Sequence, residues 1–445
     1  MRGRRRLVVG MVMAVFGFAF EVMGIAAALP TVMRDLDAIE LYGWAFSTIT
    51  IGLLLATVVA GPMADRRGPL LPLLLGMIIF CLGLTLGSLA PNVWVLLLAR
   101  LVQGFGGGAL NVGLFVVIAH AFQGPERASI IGVFSFTWLL PAFLGPPLSA
   151  WISEALTWRL VFVGVVPLIL IAAGLMWRPL QAVQAGLTLE PTAKRPGWLP
   201  IALLAFGPIL IQLAGEREDW TGALIAVAGV VALLLGLPRV LPKTAWPTRR
   251  GLGTVVASRA LHAGAFLAAE PFVVLAMQEV RGLTPLESGV ALTIGSVGWA
   301  SGSWLQARSW LRLRRDQLIR LGAASSGFGI SVIAALVIWP WFPLWLGVVG
   351  WVIAGFGMGI GMASTAVATM SLSQPSEQGR HAGALQLVEN IGNASLTSLA
   401  GAIYALTAGT SFWELFAVLL IASLLVVPLG RRIGPVANES LLSKG

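Results

Sequence analysis

The stretch Val102–Gly132, VQGFGGGALNVGLFVVIAHAFQGPERASIIG, lies over Ile353–Gly383, IAGFGMGIGMASTAVATMSLSQPSEQGRHAG, without a gap. At a constant offset of 251 residues, identical residues recur at Gly104, Phe105, Gly106, Gly108, Gln123, Glu126 and Gly132. Glycine-rich apolar segments match one another easily, but a coincident Gln and Glu beyond the glycines add weight to the match. The sequence therefore contains an internal repeat, and the repeated unit decides the fold.

The composition is that of a chain embedded in lipid. Hydrophobic residues make up 57% and charged residues 11%, with a mean hydropathy of +0.89, whereas a soluble domain carries roughly 25% charged residues. One cysteine excludes an intrachain disulfide, and three scattered histidines disfavour a metal site. The net charge of +10 lies in short runs between apolar segments, which is typical of membrane topology and not of a nucleic-acid-binding face.

The apolar segments predict fourteen membrane-spanning helices, since one span needs about 20 residues. They lie at 7–29, 41–63, 70–90, 93–119, 128–151, 158–177, 198–214, 221–238, 252–278, 286–305, 317–339, 344–369, 380–406 and 411–430. The first segment is too long for a signal peptide and is interpreted as a spanning helix. The fold class is thus an all-α integral membrane protein, with two bundles of six helices and two central helices between them.

The basic residues test this topology. With the N-terminus inside, 23 of the 29 Lys and Arg residues fall in cytoplasmic segments and 4 in outer ones, as the positive-inside rule requires. A twelve-span topology with 198–238 as an inside loop leaves this bias unchanged, but exposes about 40 apolar residues to water. The predicted organisation is a bundle at 1–178, a linker with two spans at 179–250, a bundle at 251–432 and a cytoplasmic tail at 433–445.

Four motifs mark the first bundle. They are the segment Gly61–Gly68 (GPMADRRG, with Asp65 and Arg66) after the second span, Arg100-Leu-Val-Gln103-Gly104 in the fourth, Pro141 with Gly145-Pro146-Pro147 in the fifth, and Glu21 with Ala28-Leu29-Pro30 in the first. An arginine or a carboxylate inside an apolar helix is costly, and such a residue is a functional candidate by default. The alternatives are that GPMADRRG is an ordinary turn, that Arg100 extends to the outer surface, and that Glu21 makes a structural hydrogen bond.

With these motifs the sequence resembles the drug:proton antiporters of the major facilitator superfamily, in particular their fourteen-span branch. The resemblance implies that Gly61, Asp65, Arg66 and Gly68 form a conformational latch, that Arg100 assists proton transfer, that Glu21 is the acid of the first helix, and that Pro141, Gly145 and Pro146 belong to an antiporter motif. The sequence departs from the family pattern at Ala26, Pro69, Leu70, Pro141, Ser149 and Ala150.

The second bundle carries its own polar groups. Glu270 less the offset of 251 falls within one turn of Glu21. On the thirteenth span, Gln386, Glu389, Asn390, Asn393 and Thr397 share one helical face, which lines a substrate path or connects helices by hydrogen bonds. We expect Glu21, Arg100, Glu270 and Glu389 to couple protons, and Gln103, Asn111, Gln386, Asn390 and Asn393 to line the cavity. Arg259 is expected at the membrane interface and His262 in a structural role.

The sequence predicts a proton-coupled exporter of hydrophobic or cationic compounds, working by alternating access in a bacterial cytoplasmic membrane with both termini cytoplasmic. The alternative is an exporter or flippase-like transporter of a lipid or another amphiphile. A membrane-embedded enzyme or a channel is a remote alternative, because no nucleophile–base, zinc-protease or phosphate-loop motif is present. We expect a monomer with a small-molecule or lipid substrate and protons as partners, without cofactor, metal, catalytic residue or nucleic acid.

Overall fold

A computed structural model describes residues 2–122, 124–186, 197–217, 219–308, 310–374, 377–407, 409 and 411–436. Gln123 of the repeat, and Lys194, Arg195 and Lys444 of the topology count, lie outside these ranges. Within the helices some side chains, among them that of Asp65, are also outside the description. All regular secondary structure in the described ranges is helical, which confirms the predicted all-α class.

The helices follow the predicted spans. They are α1 (Arg2–Asp35), α2 (Tyr42–Arg67), α3 (Leu70–Ser88), α4 (Val93–Ala121), α5 (Gly124–Ala155), α6 (Arg159–Val163), α7 (Val166–Ala185), α8 (Trp198–Ala214), α9 (Trp220–Val240), α10 (Leu252–Glu279), α11 (Pro285–Gln306), α12 (Arg315–Ile338), α13 (Leu344–Ser371), α14 (Gln378–Leu406) and α15 (Trp413–Leu429). Within the described residues, ten segments are long and apolar enough to cross a membrane. The chain is therefore a multi-pass membrane protein.

The sixth predicted span is two helices instead of one. α6 ends at Val163 and α7 begins at Val166. Pro167 has no N–H to donate to the carbonyl four residues earlier, so the regular hydrogen-bond ladder is interrupted at this point. The two pieces still form one continuous apolar segment, Arg159–Ala185.

The contacts divide the chain into two units. Unit 1 comprises Met1–Ile201 with Pro285–Gly289, and unit 2 comprises Ala202–Thr284 with Val290–Gly445. In unit 2, α8 packs against α14. A Cβ atom at Gly215 would lie 2.3 Å from the Cα atom of Ala402, and one at Gly401 would lie 2.6 Å from the buried Gln212 amide. The C-terminal end of α8 and the residue that follows it, Gly215, therefore contact the repeated part of unit 2.

The internal repeat is visible as a repeated helix packing. In unit 1 a Cβ atom at Gly104 would lie 2.0 Å from the carbonyl oxygen of Ile49 in α2, and one at Gly106 would lie 2.2 Å from the backbone nitrogen of Phe80 in α3. In unit 2 the equivalent glycines also contact two neighbouring helices. A Cβ atom at Gly355 would lie 2.4 Å from the carbonyl oxygen of Gly295 in α11, and one at Gly357 would lie 2.3 Å from that of Gly322 in α12.

The third repeated glycine pair completes the pattern. Gly108 faces α2, where a Cβ atom would lie 2.9 Å from the carbonyl oxygen of Leu53, and Gly359 faces α11, where it would lie 2.2 Å from that of Trp299. Small residues at every fourth position let helix backbones approach closely in a membrane. The glycines quoted from the sequence thus seat α4 between α2 and α3, and α13 between α11 and α12.

We predict that Gly104→Ala and Gly357→Ala each destabilise the protein by about 1–3 kcal/mol, because the added methyl group meets backbone atoms that cannot move aside locally. Thermal unfolding of the purified protein in detergent measures the effect. Gly174→Ala in α7 is the matched control, since no atom lies within 4 Å of its added Cβ position. Unfolding temperatures of the two variants equal to that of the control would contradict the packing described here.

Candidate functional site

Unit 1 buries an ion pair between α1 and α4. The Arg100 guanidinium donates from Nη1 to the Glu21 carboxylate and to Oε1 of Gln103 at 2.9 Å, and from Nε to the carbonyl oxygen of Ala45 at 3.2 Å. The Arg100 side chain is 1% exposed and that of Glu21 is 0% exposed. Arg100 therefore turns into the bundle, and the alternative that it extends to the outer surface is wrong for this conformation.

Gln103 supports the arginine. Its amide oxygen accepts from Arg100, and its amide nitrogen donates to the carbonyl oxygen of Gly83 at 3.2 Å. Gly83 permits this approach, because a Cβ atom there would lie 2.6 Å from the backbone nitrogen of Gln103. Both polar ends of the side chain are used and it is fully buried. In this conformation Gln103 presents no unpaired polar atom to a cavity.

The second oxygen of Glu21 has no partner. Oε2 is buried without a hydrogen bond within the described residues, and so are the hydroxyls of Ser149 and Ser153 on α5. Buried polar atoms are nearly always hydrogen-bonded in folded proteins. α1 and α5 meet close to this serine, because a Cβ atom at Gly24 of α1 would lie 2.3 Å from Oγ of Ser149. The α1–α5 contact at Gly24 thus holds a serine hydroxyl with unused hydrogen-bonding capacity, and the Glu21 carboxylate one turn earlier on α1 has an unused acceptor.

The fifth-span motif lies on this contact. α5 continues from Gly124 to Ala155 through Pro141, Pro146 and Pro147. A Cβ atom at Gly145 would lie 3.3 Å from the backbone nitrogen of Gly24. The motif therefore brings α5 against α1 one turn beyond Glu21.

Unit 2 contains a second ion pair between α10 and α14. Arg259 donates from Nε to Oε2 of Glu389 at 2.9 Å, with Nη2 at 2.8 Å from the same oxygen. Its Nη1 donates to the carbonyl oxygen of Met362 at 2.6 Å and to Oγ1 of Thr365 at 2.8 Å. The two side chains are 11% and 13% exposed. Glu389 on the facing helix therefore neutralises Arg259, and the expected position of Arg259 at the membrane interface stays a prediction.

Glu270 differs from the other two acids. It lies on α10, three turns beyond Arg259, and is half-buried. Within the described residues it makes no hydrogen bond or ion pair. It is the acid among Glu21, Glu270 and Glu389 that no cation of the described chain neutralises.

The polar face of α14 is half-buried along most of its length. Gln386, Asn390 and Asn393 are partly exposed, and Asn393 accepts from the Thr397 hydroxyl at 3.1 Å. Asn111 on α4 is also partly exposed. Their role in lining a substrate path stays a prediction.

His262 is part of a packed hydrogen-bond chain. Its Nε2 lies 2.9 Å from Oγ of Ser326, which itself donates to the carbonyl oxygen of Ala354 at 2.9 Å. Because the serine proton is used on Ala354, the histidine must donate from Nε2. A Cβ atom at Gly361 would lie 2.3 Å from the ring, so the glycine makes room for the histidine between α10 and α13.

The stretch Gly61–Gly68 is mostly helix, which corrects the expectation of a loop. α2 continues through Arg67, and the chain turns only at Gly68, whose φ is +76°. Asp65 therefore lies in the last turn of α2 and not at a helix start. Gly61 has no atom within 4 Å of an added Cβ position. Met63, Ala64, Arg66 and Arg67 are good helix formers, so the helix continues until Gly68 supplies the positive φ of the turn.

A glutamine that the sequence did not single out holds this turn. Gln184 on α7 donates from Nε2 to the carbonyl oxygen of Arg67 at 2.6 Å, and its Oε1 accepts from the backbone nitrogen of Leu70 at 3.4 Å. A Cβ atom at Gly68 would lie 2.1 Å from Oε1 of the same amide. No local sequence signal marks Gln184, because its partners are more than 100 residues away.

Asp35, at the C-terminal end of α1, contacts Trp158 and Arg159. Trp158 donates from Nε1 to Oδ2 of Asp35 at 2.8 Å, and Arg159 approaches the same oxygen at 3.6 Å. The Arg159 guanidinium also lies 4.2 Å from the centre of the Trp158 ring and donates to the carbonyl oxygen of Ala90 at 3.3 Å. No local sequence signal marks Asp35 as their partner, because it lies more than 100 residues earlier in the chain.

This combination defines a class of membrane protein. Two structural repeats of apolar helices, each with an arginine–glutamate pair buried among the helices, are the construction of a polytopic transporter and not of a membrane anchor. The family model of the Major Facilitator Superfamily matches residues 11–325. The chain belongs to this family.

Relatives and solved structures agree with this assignment. The chain is 24% identical over 418 residues to the multidrug efflux pump SdrM of Staphylococcus aureus (strain N315), with 90% of each protein covered. It is 23% identical over 389 residues to multidrug resistance protein 3 of Bacillus subtilis (strain 168), covering 84% of this chain and 74% of the relative. The crystal structure of a POT family transporter in complex with a thioalcohol-conjugated peptide superposes with a TM-score of 0.72 at 14% identity, over 96% of both chains. This last likeness shows the fold.

We predict that Glu21 and Arg100 are energetically coupled. Glu21→Gln and Arg100→Gln each leave one buried charge without its partner and should destabilise the protein, whereas the double variant places two neutral amides in contact. The double-mutant cycle, measured by unfolding in detergent, should give an interaction free energy of about 1–3 kcal/mol. Simple additivity of the two single effects would show that the pair contributes nothing.

We predict that Gln184→Ala loosens the α2–α3 turn, because it removes both hydrogen bonds that hold Arg67 and Leu70. Amide hydrogen exchange of residues 66–70 should accelerate about tenfold, as expected for the loss of roughly 1.4 kcal/mol of local hydrogen bonding. Gln181→Ala, an exposed glutamine on the same helix, is the control. Equal protection of the turn in the two variants would exclude the role given to Gln184.

Proposed function

We propose that the protein is a proton-coupled multidrug exporter, which exchanges hydrophobic or cationic compounds for protons by alternating access. Two relatives that match most of this chain are named a multidrug efflux pump and a multidrug resistance protein. The motifs of α1, α4 and α5 support the same assignment.

The observation that carries the proposal is the distribution of charge among the buried acids. Glu21 is neutralised by Arg100 and Glu389 by Arg259, whereas Glu270 has no partner in the described chain. An intramembrane carboxylate without a cation must bind a proton or a cationic ligand, since an unpaired charge in this environment is costly. Proton and substrate then compete for one carboxylate, and this competition is the physical basis of antiport.

The cluster around Glu21 is suited to a second protonation step. If a proton binds Glu21, Arg100 keeps Gln103 and the carbonyl of Ala45 as acceptors. Protonation of Glu21 therefore removes the counter-ion of Arg100 but leaves the guanidinium two hydrogen-bond acceptors. The unpartnered Oε2 of Glu21 is the atom that would receive the proton.

The finer topology belongs to the same proposal. We assign fourteen spans, with both termini in the cytoplasm of a bacterial cell, a bundle at 1–178, two central helices within 179–250 and a bundle at 251–432. In this topology Gly61, Asp65, Arg66 and Gly68 would act as a latch at the inner surface. The face of α14 with Gln386, Asn390 and Asn393 would line the substrate path, together with Asn111.

Counterflow in liposomes tests the proposed function. Wild-type protein with an internal pH dye should move protons against a lipophilic cation. Glu270→Gln should reduce this proton movement at least tenfold, since an amide at this position neither carries a proton nor attracts a cation. Glu21→Gln should also abolish coupling while the protein still binds substrate.

Glu40→Gln, which changes an exposed acid before α2, is the control and should retain full counterflow. Undiminished proton movement in Glu270→Gln would remove Glu270 from the mechanism. A fluorescent phospholipid is included among the substrates. Movement of the lipid without any movement of the cation would contradict the proposal of drug export and support lipid export.

A further inference from the structure

A groove opens between the first turns of α1 and α5 in unit 1. Arg4, Arg5 and Val8 of α1 form one wall, Glu126 and Ile130 of α5 form the other, and Phe122 lies at the end of α4. Its volume is 290 Å³. We call it the N-terminal groove.

The mouth of the groove carries excess positive charge. Arg4 pairs with Glu126 at 3.0 Å, donates to the carbonyl oxygen of Ala121 at 3.2 Å and lies 5.7 Å from the centre of the Phe122 ring. These contacts hold Arg4 in place and balance its charge. Arg5 and Arg6 are exposed and make no hydrogen bond or ion pair within the described residues. Arg5, which lines the groove, and Arg6, the next residue of α1, are therefore two cations without a counter-ion in the described chain.

The floor of the groove is apolar. Val8 is half-buried, Ile130 is 9% exposed and Phe122 is 1% exposed. The first turns of α1 and α5 meet here, and the N-terminal ends of helices favour an anion. α1 then continues as a spanning segment from Arg4 to Asp35. A basic mouth thus lies above an apolar floor where a spanning helix begins.

The combination of exposed arginines and an apolar floor indicates the chemistry of the ligand. A soluble polyanion would match the arginines but would gain nothing from Val8 and Ile130, and a zwitterionic lipid would match the floor but not the two unpaired cations. We propose that the N-terminal groove binds one anionic phospholipid, with its phosphate at Arg5 and Arg6 and the start of one acyl chain along Val8 and Ile130. Basic residues beside a spanning helix attract anionic lipids in this way. The site is independent of the transported substrate.

Native mass spectrometry of protein equilibrated with equal amounts of phosphatidylglycerol and phosphatidylcholine tests the proposal. Wild-type protein should retain one phosphatidylglycerol in preference to phosphatidylcholine. The double variant Arg5→Gln/Arg6→Gln should bind it about thirtyfold more weakly, because two cations near the phosphate are removed. Glu126→Gln should bind it more tightly, because the charge of Arg4 is no longer balanced.

Val8→Phe distinguishes binding in the groove from non-specific attraction of lipid to the basic residues. The larger side chain fills the floor of the groove while every charge is kept. It should also lose the bound phosphatidylglycerol, whereas Leu98→Phe, on the exposed surface of α4, should retain it. Both Arg5 and Arg6 are exposed, so their replacement should not prevent folding. Retention by Val8→Phe at the wild-type level, equal retention of phosphatidylcholine, or no effect of the arginine changes would each overturn the proposal.

Discussion

Direct backbone contact at the repeated glycines is the constraint on which the rest of unit 1 depends. Gly104 brings the backbone of α4 against that of Ile49 in α2. Because the two helices touch there, the carbonyl oxygen of Ala45 comes within 3.2 Å of Nε of Arg100, one turn from Gly104. A side chain at Gly104 would separate the helices and leave one guanidinium nitrogen without its acceptor. The buried ion pair is therefore positioned by residues that carry no polar group.

The two units have the same glycine-mediated helix packing but place their buried ion pairs on different helices. α10 corresponds to α1 in the repeat, α13 to α4 and α14 to α5. In unit 1 the acid lies on α1 and the arginine on α4, whereas in unit 2 the arginine lies on α10 and the acid on α14. Both units have the glycine contacts, and each contact constrains the backbone on both sides. Each unit pairs its arginine with a glutamate in a different arrangement, and in both the pairing avoids the larger cost of an uncompensated buried charge.

The sequence was sufficient for the helices and insufficient for their partners. Apolar length predicted a helical segment at each of the fourteen spans, although the sixth is divided, and the offset of 251 predicted the equivalent glycines. The division of the sixth span into two helices was not predicted, because Pro167 lies in an unbroken apolar run. The partner of Arg259 escaped for a different reason: a helical period shows which residues share a face, but not which helix that face meets. Gln184 and Asp35 escaped on the same ground, since each acts on residues far away in the chain.

The contact of α8 with α14 bears on how the central segment should be regarded. Gln212 of α8 and Gly215 directly after it lie against Gly401 and Ala402, so the small residues of α14 fit a neighbour that lies outside the repeat. Removing 198–240 would expose this surface of α14. The central segment therefore contributes to the packing of unit 2 and is more than a connection between the two bundles.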